Sequence, residues 1–264
     1  NSAKAKEAKR LSLPFVAEPY SIIRDPDIDI IVELIGGINP AASFIAESLQ
    51  RGKDVVTANK ALLATEGKKI FSLAKKLKRR IGFEASVCGA IPVIRGISEG
   101  LLACQINEIY GILNGTTNYV LHKMAKDNIE FNQALKSAQE EGFAEKNSTL
   151  DIEGTDALHK LCILSYICYG VWPSLKKVST EGISNVSLLD LNYARELNYH
   201  LKLLAIAKRG KGKLDLRVHP TLVPKDHPLS GVSSVYNAVY LETKPAGRLL
   251  FYGRGAGGEA TSSA

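Results

Sequence analysis

The chain is predicted to be an α/β protein: part of a Rossmann-type, doubly wound parallel sheet, followed by an α+β domain. Three observations carry this. Short β-branched runs alternate with helical patterns through the first third, each run ending in a glycine or polar loop. Near Asn107 the texture changes to long helices and wider-spaced alternating strands. A glycine-rich segment, Gly253-Arg254-Gly255-Ala256-Gly257-Gly258, follows the last of them. At 264 residues and 45% hydrophobic, the chain suits one large domain or two ordinary ones.

Residues 27–35 are rich in isoleucine and valine and run into Gly36-Gly37, the pattern of a buried parallel strand entering a tight turn. Asn39 before Pro40 predicts a helix over 40–51, with asparagine as N-cap and proline at the first position. Residues 54–57 form the next strand, 66–80 an amphipathic helix and 81–87 a third strand. Ligands of such sheets sit beyond the carboxyl ends of the strands. This singles out Gly36-Gly37, Thr57-Ala58-Asn59-Lys60 and Cys88-Gly89-Ala90. No GxGxxG turn follows a strand near the amino terminus, so the sheet is expected to begin in its second half and the chain to bind a dinucleotide weakly.

A strand is expected over 106–113, then Asn114-Gly115-Thr116-Thr117, whose side chains can cap the following helix, a helix-rich stretch to Gly170, and strands over 214–223, 235–243 and 249–252. The expected division is a partial nucleotide-binding unit over 1–105, a catalytic and dimer-forming unit over 106–248, and a return segment over 249–264.

The net charge of +7 does not point to a nucleic-acid partner. The densest basic run, from Lys68 to Arg80, interleaves with Ile70, Leu73, Ala74 and Leu77 at helical spacing, so its lysines are a solvated face. No apolar run approaches the roughly 20 residues of a membrane span, and residues 1–10 lack a signal-peptide core. The four cysteines lack zinc-site or disulfide spacing and read as packed, reduced thiols, so a cytoplasmic setting is expected.

The chemistry concentrates on a helix expected over 156–169, with Asp156 placed to cap it. The helix is apolar nearly all round, so it is buried and Lys160 cannot be an ordinary surface lysine. Burial disfavours its ammonium; Asp156, four residues earlier on the same face, favours it. On spacing alone such a pair is more often a solvated one, worth about 0.3–0.5 kcal/mol; the apolar context brings the two readings level. Upstream, Glu145 and Asp151 add carboxylates, each also readable as a cap or turn residue. Lysines and acids together suit a small zwitterionic substrate. Lys60, at a strand's carboxyl end, can meet phosphate, ribose or a carboxylate, or simply water.

Several segments, in order, resemble those of homoserine dehydrogenases: Glu33-Leu34-Ile35-Gly36-Gly37, Thr57-Ala58-Asn59-Lys60-Ala61-Leu62, Glu84-Ala85-Ser86-Val87, Leu113-Asn114-Gly115-Thr116-Thr117-Asn118-Tyr119, and Asp151-Ile152-Glu153-Gly154-Thr155-Asp156-Ala157-Leu158-His159-Lys160-Leu161. The resemblance implies NADP- or NAD-dependent interconversion of aspartate semialdehyde and homoserine by a homodimer. It makes Lys160 the catalytic acid with Asp156 beside it, Glu145 the carboxylate for the substrate amine, and Asp151 and Lys60 further substrate contacts. Gly36, Gly37, Thr57, Lys60, Asn114 and Gly257 are expected to meet the cofactor. A sodium ion is implied at the carbonyls of Glu84, Val87, Gly89 and Ile91. The chain departs from the family pattern at Glu145-Lys146-Asn147-Ser148, where Glu-Ala-Asp-Pro is common, and at Cys88 and Glu259, where glycine and an apolar residue are expected. Two rivals stay open: a non-catalytic dimerising remnant, and an oxidoreductase for another small carbonyl compound.

Overall fold

Two helices, α1 (Ser2–Arg10) and α2 (Pro19–Arg24), lead into β1 (Ile30–Glu33). The structure, a computed structural model, describes residues 2–210 and 212–263. β1 joins β2 (Asp54–Thr57) and β3 (Ile81–Gly82) in a parallel sheet of order β1-β2-β3. β1 is shorter than the 27–35 run because side chains claim the amides at both ends. The Asp25 carboxylate accepts the Asp27 amide at 2.9 Å, and Glu33 accepts those of Ile35 and Gly36 at 2.8 and 3.2 Å.

The following helix, α3 (Ala41–Gln50), has Pro40 rather than Asn39 in the cap position and no side-chain cap bond. α4 (Lys60–Leu77) starts six residues before the expected 66, because Asn59 accepts the Leu62 amide at 3.1 Å and caps it. Ile45, Leu49, Val55, Leu62 and Ile70 form the core that α3 and α4 make with the sheet, while Ile30, Val32 and Val56 are exposed. β3 stops at Gly82, short of the expected 87. Its continuation closes into a turn in which Ser86 donates to the Phe83 carbonyl, and the Glu84 carboxylate accepts the Ile94 and Arg95 amides at 2.9 and 2.8 Å, at the start of α5 (Val93–Arg95).

The second unit contains β4 (Gln105–Ile112), α6 (Gly115–Asp127), α7 (Phe131–Glu140), α8 (Thr149–Ile152), α9 (Thr155–Tyr169), β5 (Ser179–Thr180), α10 (Leu188–Glu196), β6 (Tyr199–Arg209), β7 (Leu214–Pro224), β8 (Tyr236–Lys244) and β9 (Gly247–Arg254), followed by α11 (Gly258–Ser262). Its six strands run in the order β5-β7-β6-β4-β8-β9, antiparallel except for β5 beside β7. β6 was not foreseen from the sequence. It lies inside the sheet, with Leu203, Ala205 and Ala207 in one core and Leu204 and Ile206 in the other, so it lacks the alternation of a half-exposed strand.

α9 carries the main core. Leu161, Cys162, Ile163 and Leu164 are fully buried, and the helix packs on both β6 and α4. Phe71 of α4 meets Tyr166 and Trp172 at centroid distances of 5.2 and 5.7 Å, which fastens the two units together. β9 pairs with β8 as far as Arg254, so residues 249–254 belong to the second sheet and the chain turns toward the first unit only after them.

There the backbone approaches closely. A Cβ on Gly255 would stand 1.5 Å from Asn237 Oδ1, and one on Gly89 would stand 2.8 Å from the Gly255 carbonyl oxygen. Asn237 is buried and donates to the Ile112 carbonyl at 2.8 Å, so it cannot swing away freely. Gly255→Ala is expected to cost about 1–3 kcal/mol through overpacking, read as a lowered urea midpoint with an unchanged slope.

Candidate active site

The carboxyl ends of β1 and β2 are tied together by a buried carboxylate. Besides the amides of Ile35 and Gly36, Glu33 accepts the Thr57 hydroxyl at 2.7 Å; Thr57 Oγ1 in turn accepts the Asn59 amide at 3.0 Å, and Asn59 Nδ2 donates to the Gly37 carbonyl at 2.7 Å. Gly36 and Gly37 both take positive φ, 78° and 71°, which glycine tolerates without strain. This network sets where α4 begins and hence where its first residue, Lys60, stands.

Opposite lies the start of α9. Its N-cap is Gly154, not Asp156, which leaves the aspartate free for other partners. Asp156 Oδ2 accepts Lys160 Nζ at 2.8 Å, and Oδ1 lies 2.6 Å from Lys60 Nζ. Lys160 also donates to the Leu113 carbonyl at 2.6 Å, using two of its three N–H groups. Asn114 holds both acids from one amide: Nδ2 donates to Asp151 at 2.7 Å and to Asp156 at 2.9 Å, while Oδ1 caps α6 through the Thr117 amide at 2.8 Å.

Asp156 and Lys160 are only 5% and 8% exposed, so their charges act in a poorly screened setting. Burial works against the Asp156 carboxylate, but Lys160 and then Lys60 outweigh it and hold the carboxyl well below its usual range. Burial likewise works against the Lys160 ammonium, and Asp156 outweighs it, raising Lys160 above the ordinary lysine value. Asp151 is pushed up, first by burial and then by Asp156, against its bond from Asn114. His159 is pushed down by burial.

Lys60, Asp151, Asp156 and Lys160, but not His159, line a cleft of about 590 Å³. Of the residues singled out from sequence, Lys60, Asn114, Asp151, Asp156, Lys160 and Gly257 meet there. Gly36, Gly37 and Thr57 do not line it; Thr57 is buried and shapes the Lys60 loop from behind. Glu145 also lies outside the lining: its loop reaches the cleft through Gly142 and Phe143, while Glu145 is exposed. In the same loop Asn147 accepts the Thr149 amide at 3.3 Å and its hydroxyl at 2.8 Å, a turn bond that an aspartate would also make. Arg254, Tyr236 and Asn237 line the cleft and were not anticipated. Arg254 alone had a sequence signal, its place beside the glycines.

Glu84, Val87, Gly89 and Ile91 lie on the neighbouring turn. The Glu84 carbonyl accepts Val87 N at 3.3 Å and that of Ile91 accepts Val93 N at 2.7 Å. Each carbonyl oxygen keeps a second lone pair, so the set remains chemically suited to a hard cation. Cys88 sits in this turn at φ 59°, the left-handed conformation that accounts for glycine being expected there. Burial pushes the thiols of Cys88, Cys162 and Cys168 up to about 12. A thiol-disulfide reagent at pH 8 is therefore expected to label Cys88 and Cys162, both fully buried, only after unfolding. Fast labelling of either thiol in the native chain would contradict this burial.

A parallel nucleotide-type sheet whose strand ends share a cleft with a lysine–carboxylate cluster from an α+β domain is the layout of an α/β dehydrogenase. The family model described as "Homoserine dehydrogenase" matches residues 92–264, and that described as "Homoserine dehydrogenase, NAD binding domain" matches residues 1–84. The homoserine dehydrogenase of Pseudomonas aeruginosa is 44% identical over 95% of this chain and 58% of its own length; that of Bacillus subtilis is 41% identical over 98% and 61%. Among solved structures, a homoserine dehydrogenase from Thiobacillus denitrificans superposes with a TM-score of 0.95 at 44% identity, covering 98% of this chain and 60% of that one. A hyperthermophilic archaeal homoserine dehydrogenase in complex with NADPH gives 0.82 at 28% identity, covering 94% and 72%. The chain belongs to the homoserine dehydrogenase family, and it spans about three fifths of the length of these curated relatives. No helix among the described residues is long and apolar enough to cross a membrane.

Proposed function

We propose that the chain carries the catalytic centre of a homoserine dehydrogenase, reducing aspartate semialdehyde to homoserine with NADPH or NADH. The observation that carries this reading is the Lys60–Asp156–Lys160 chain, built from both units, with Asp156 and Lys160 buried and Lys60 at the open side. The nicotinamide, when bound, supplies the hydride. Lys160, kept protonated by Asp156, has one N–H left to donate to the carbonyl oxygen as it gains charge. Asn114 fixes the two acids, and Lys60 and Arg254 offer cations to an anionic group of substrate or cofactor. Asp151 faces the same cleft and suits the substrate's ammonium, with Glu145 joining it if its loop closes. Because Lys160 lies above its ordinary value, the acid form persists well past neutral pH. Reduction should then be flat with pH around neutrality, and homoserine oxidation, which needs the free amine, should rise toward alkaline pH. The test follows nicotinamide absorbance in both directions, in the polypeptide extended to the length of its relatives. An oxidation rate that falls as pH rises would overturn the role of Lys160.

The cofactor is expected to reach the cleft past Gly36, Gly37, Asn114 and Gly257, with buried Thr57 supporting the Lys60 loop from behind. A sodium ion would be held by the carbonyls of Glu84, Val87, Gly89 and Ile91, where it would brace the turn against Gly255; replacing sodium by a bulky organic cation should lower the melting temperature. A division into units at 105 is part of this reading, supported by the second sheet's opening with β4. A homodimer formed through the second unit is read from exposed Tyr193, Leu197 and Leu222, and sedimentation as a monomer at micromolar concentration would remove it.

A further inference from the structure

A second cavity, of about 360 Å³, lies between α6, α10 and β6 and shares no lining residue with the catalytic cleft. Its ionisable lining is His122, Lys126, Arg195, Tyr199, His200 and Lys202, without an aspartate or glutamate. Leu121 and Leu191 give it an apolar wall. The mechanism uses none of these groups.

Lys202 is the unusual member. It is 5% exposed, and its ammonium donates to two neutral acceptors, the Val232 carbonyl and, at 3.2 Å, Asn118 Oδ1. No carboxylate pairs with it among the described residues. Asn118 cannot take over as a counter-charge: its amide is spent on the Ser234 and Tyr236 carbonyls at 2.9 and 3.2 Å. A buried ammonium without an anion is costly, and one of its three N–H groups is left over. The neighbouring cationic side chains, of which Lys126 and Arg195 are exposed at the mouth, add positive potential to a half-open, partly apolar space, where a negative group that reaches Lys202 would be partly withdrawn from water.

We propose that this cavity binds a small carboxylate with a short aliphatic body, its carboxylate pairing with the Lys202 ammonium. The apolar wall favours an aliphatic acid over a fully hydrated anion such as inorganic phosphate. Burial lowers Lys202 to about 8, so the site is charged at neutral pH and loses charge above it. His122, which burial and then Lys202 push down, stays neutral there and does not replace that charge.

The test is titration calorimetry of the 264-residue chain with sodium butyrate, and separately with sodium phosphate, at constant ionic strength. Butyrate is expected to bind at one saturable site near pH 7, to weaken as pH rises past about 8, and to bind more tightly than phosphate. Lys202→Met should weaken it about tenfold or more without lowering the melting temperature, since the change removes an unpaired buried charge. Arg195→Gln, at an exposed position, should weaken it by a smaller factor and keeps the test open if Lys202→Met does not fold. Absence of saturable binding at millimolar butyrate, or equal affinity in Lys202→Met, overturns the site. Tighter binding of phosphate overturns the assignment to a carboxylate.

Discussion

Replacing Lys160 by methionine in the polypeptide extended to its relatives' length is expected to slow turnover by roughly 10² to 10⁴ while cofactor affinity barely moves. Methionine retains the apolar stem within the α9 core but has no proton to give. Asp156 keeps Lys60 at 2.6 Å and the Asn114 amide at 2.9 Å, so it is not stranded by the change. The loss should fall on turnover and turnover over KM alike, the signature of an interaction made in the transition state. Single-turnover absorbance kinetics would separate this from slowed product release. A near-normal turnover number would sink the assignment of Lys160 as the acid and leave the family membership untouched.

Asp156→Asn is expected to have the larger effect on stability. The aspartate neutralises two lysines, one of them 8% exposed, and its removal leaves a buried ammonium without a counter-charge. Breaking a buried pair from one side costs about 3–5 kcal/mol, measurable as a lower urea midpoint. The sign with pH follows from the two shifts. Asp156 is depressed, so its contribution is present above the usual carboxylate range and is lost as pH falls. Lys160 is raised, so its contribution is present below the ordinary lysine value and is lost as pH rises through the folded one. The difference between wild type and Asp156→Asn should therefore be greatest between about pH 5 and 10. It should shrink toward high pH in particular, where burial lets Lys160 shed its proton in the variant. A constant difference from acid to alkali would mean that the pair contributes little.

Much of this was legible in the residues. β2 falls on 54–57 as expected, because Asp54-Val55-Val56-Thr57 lies between an unambiguous helix end and a polar loop. The burial of α9 follows from its having no polar face, and with it the unusual standing of Lys160 and its partner Asp156 at one helical turn. The ends of elements were less legible wherever a side chain from elsewhere claimed a backbone amide. Asn59 began α4 early, Glu33 ended β1, and Glu84 abandoned a strand to cap α5.

By itself the sequence determined what local periodicity and composition control: the α/β class, the buried helix, the Asp156–Lys160 spacing and the family resemblance. Only the tertiary structure decided which distant groups share a site. Lys60 and Asp156 are nearly a hundred positions apart and meet because α4 packs against α9; Arg254 joins them because β9 pairs with β8. Glu145 stays outside because its loop presents Phe143 instead. Lys202 had no signal as an unpaired charge, since the absence of a carboxylate around it is a property of the packed neighbours and not of the chain on either side. Spacing along a helix repeats every few residues and can be read in one dimension, whereas burial and counter-charge depend on every element that packs against a residue.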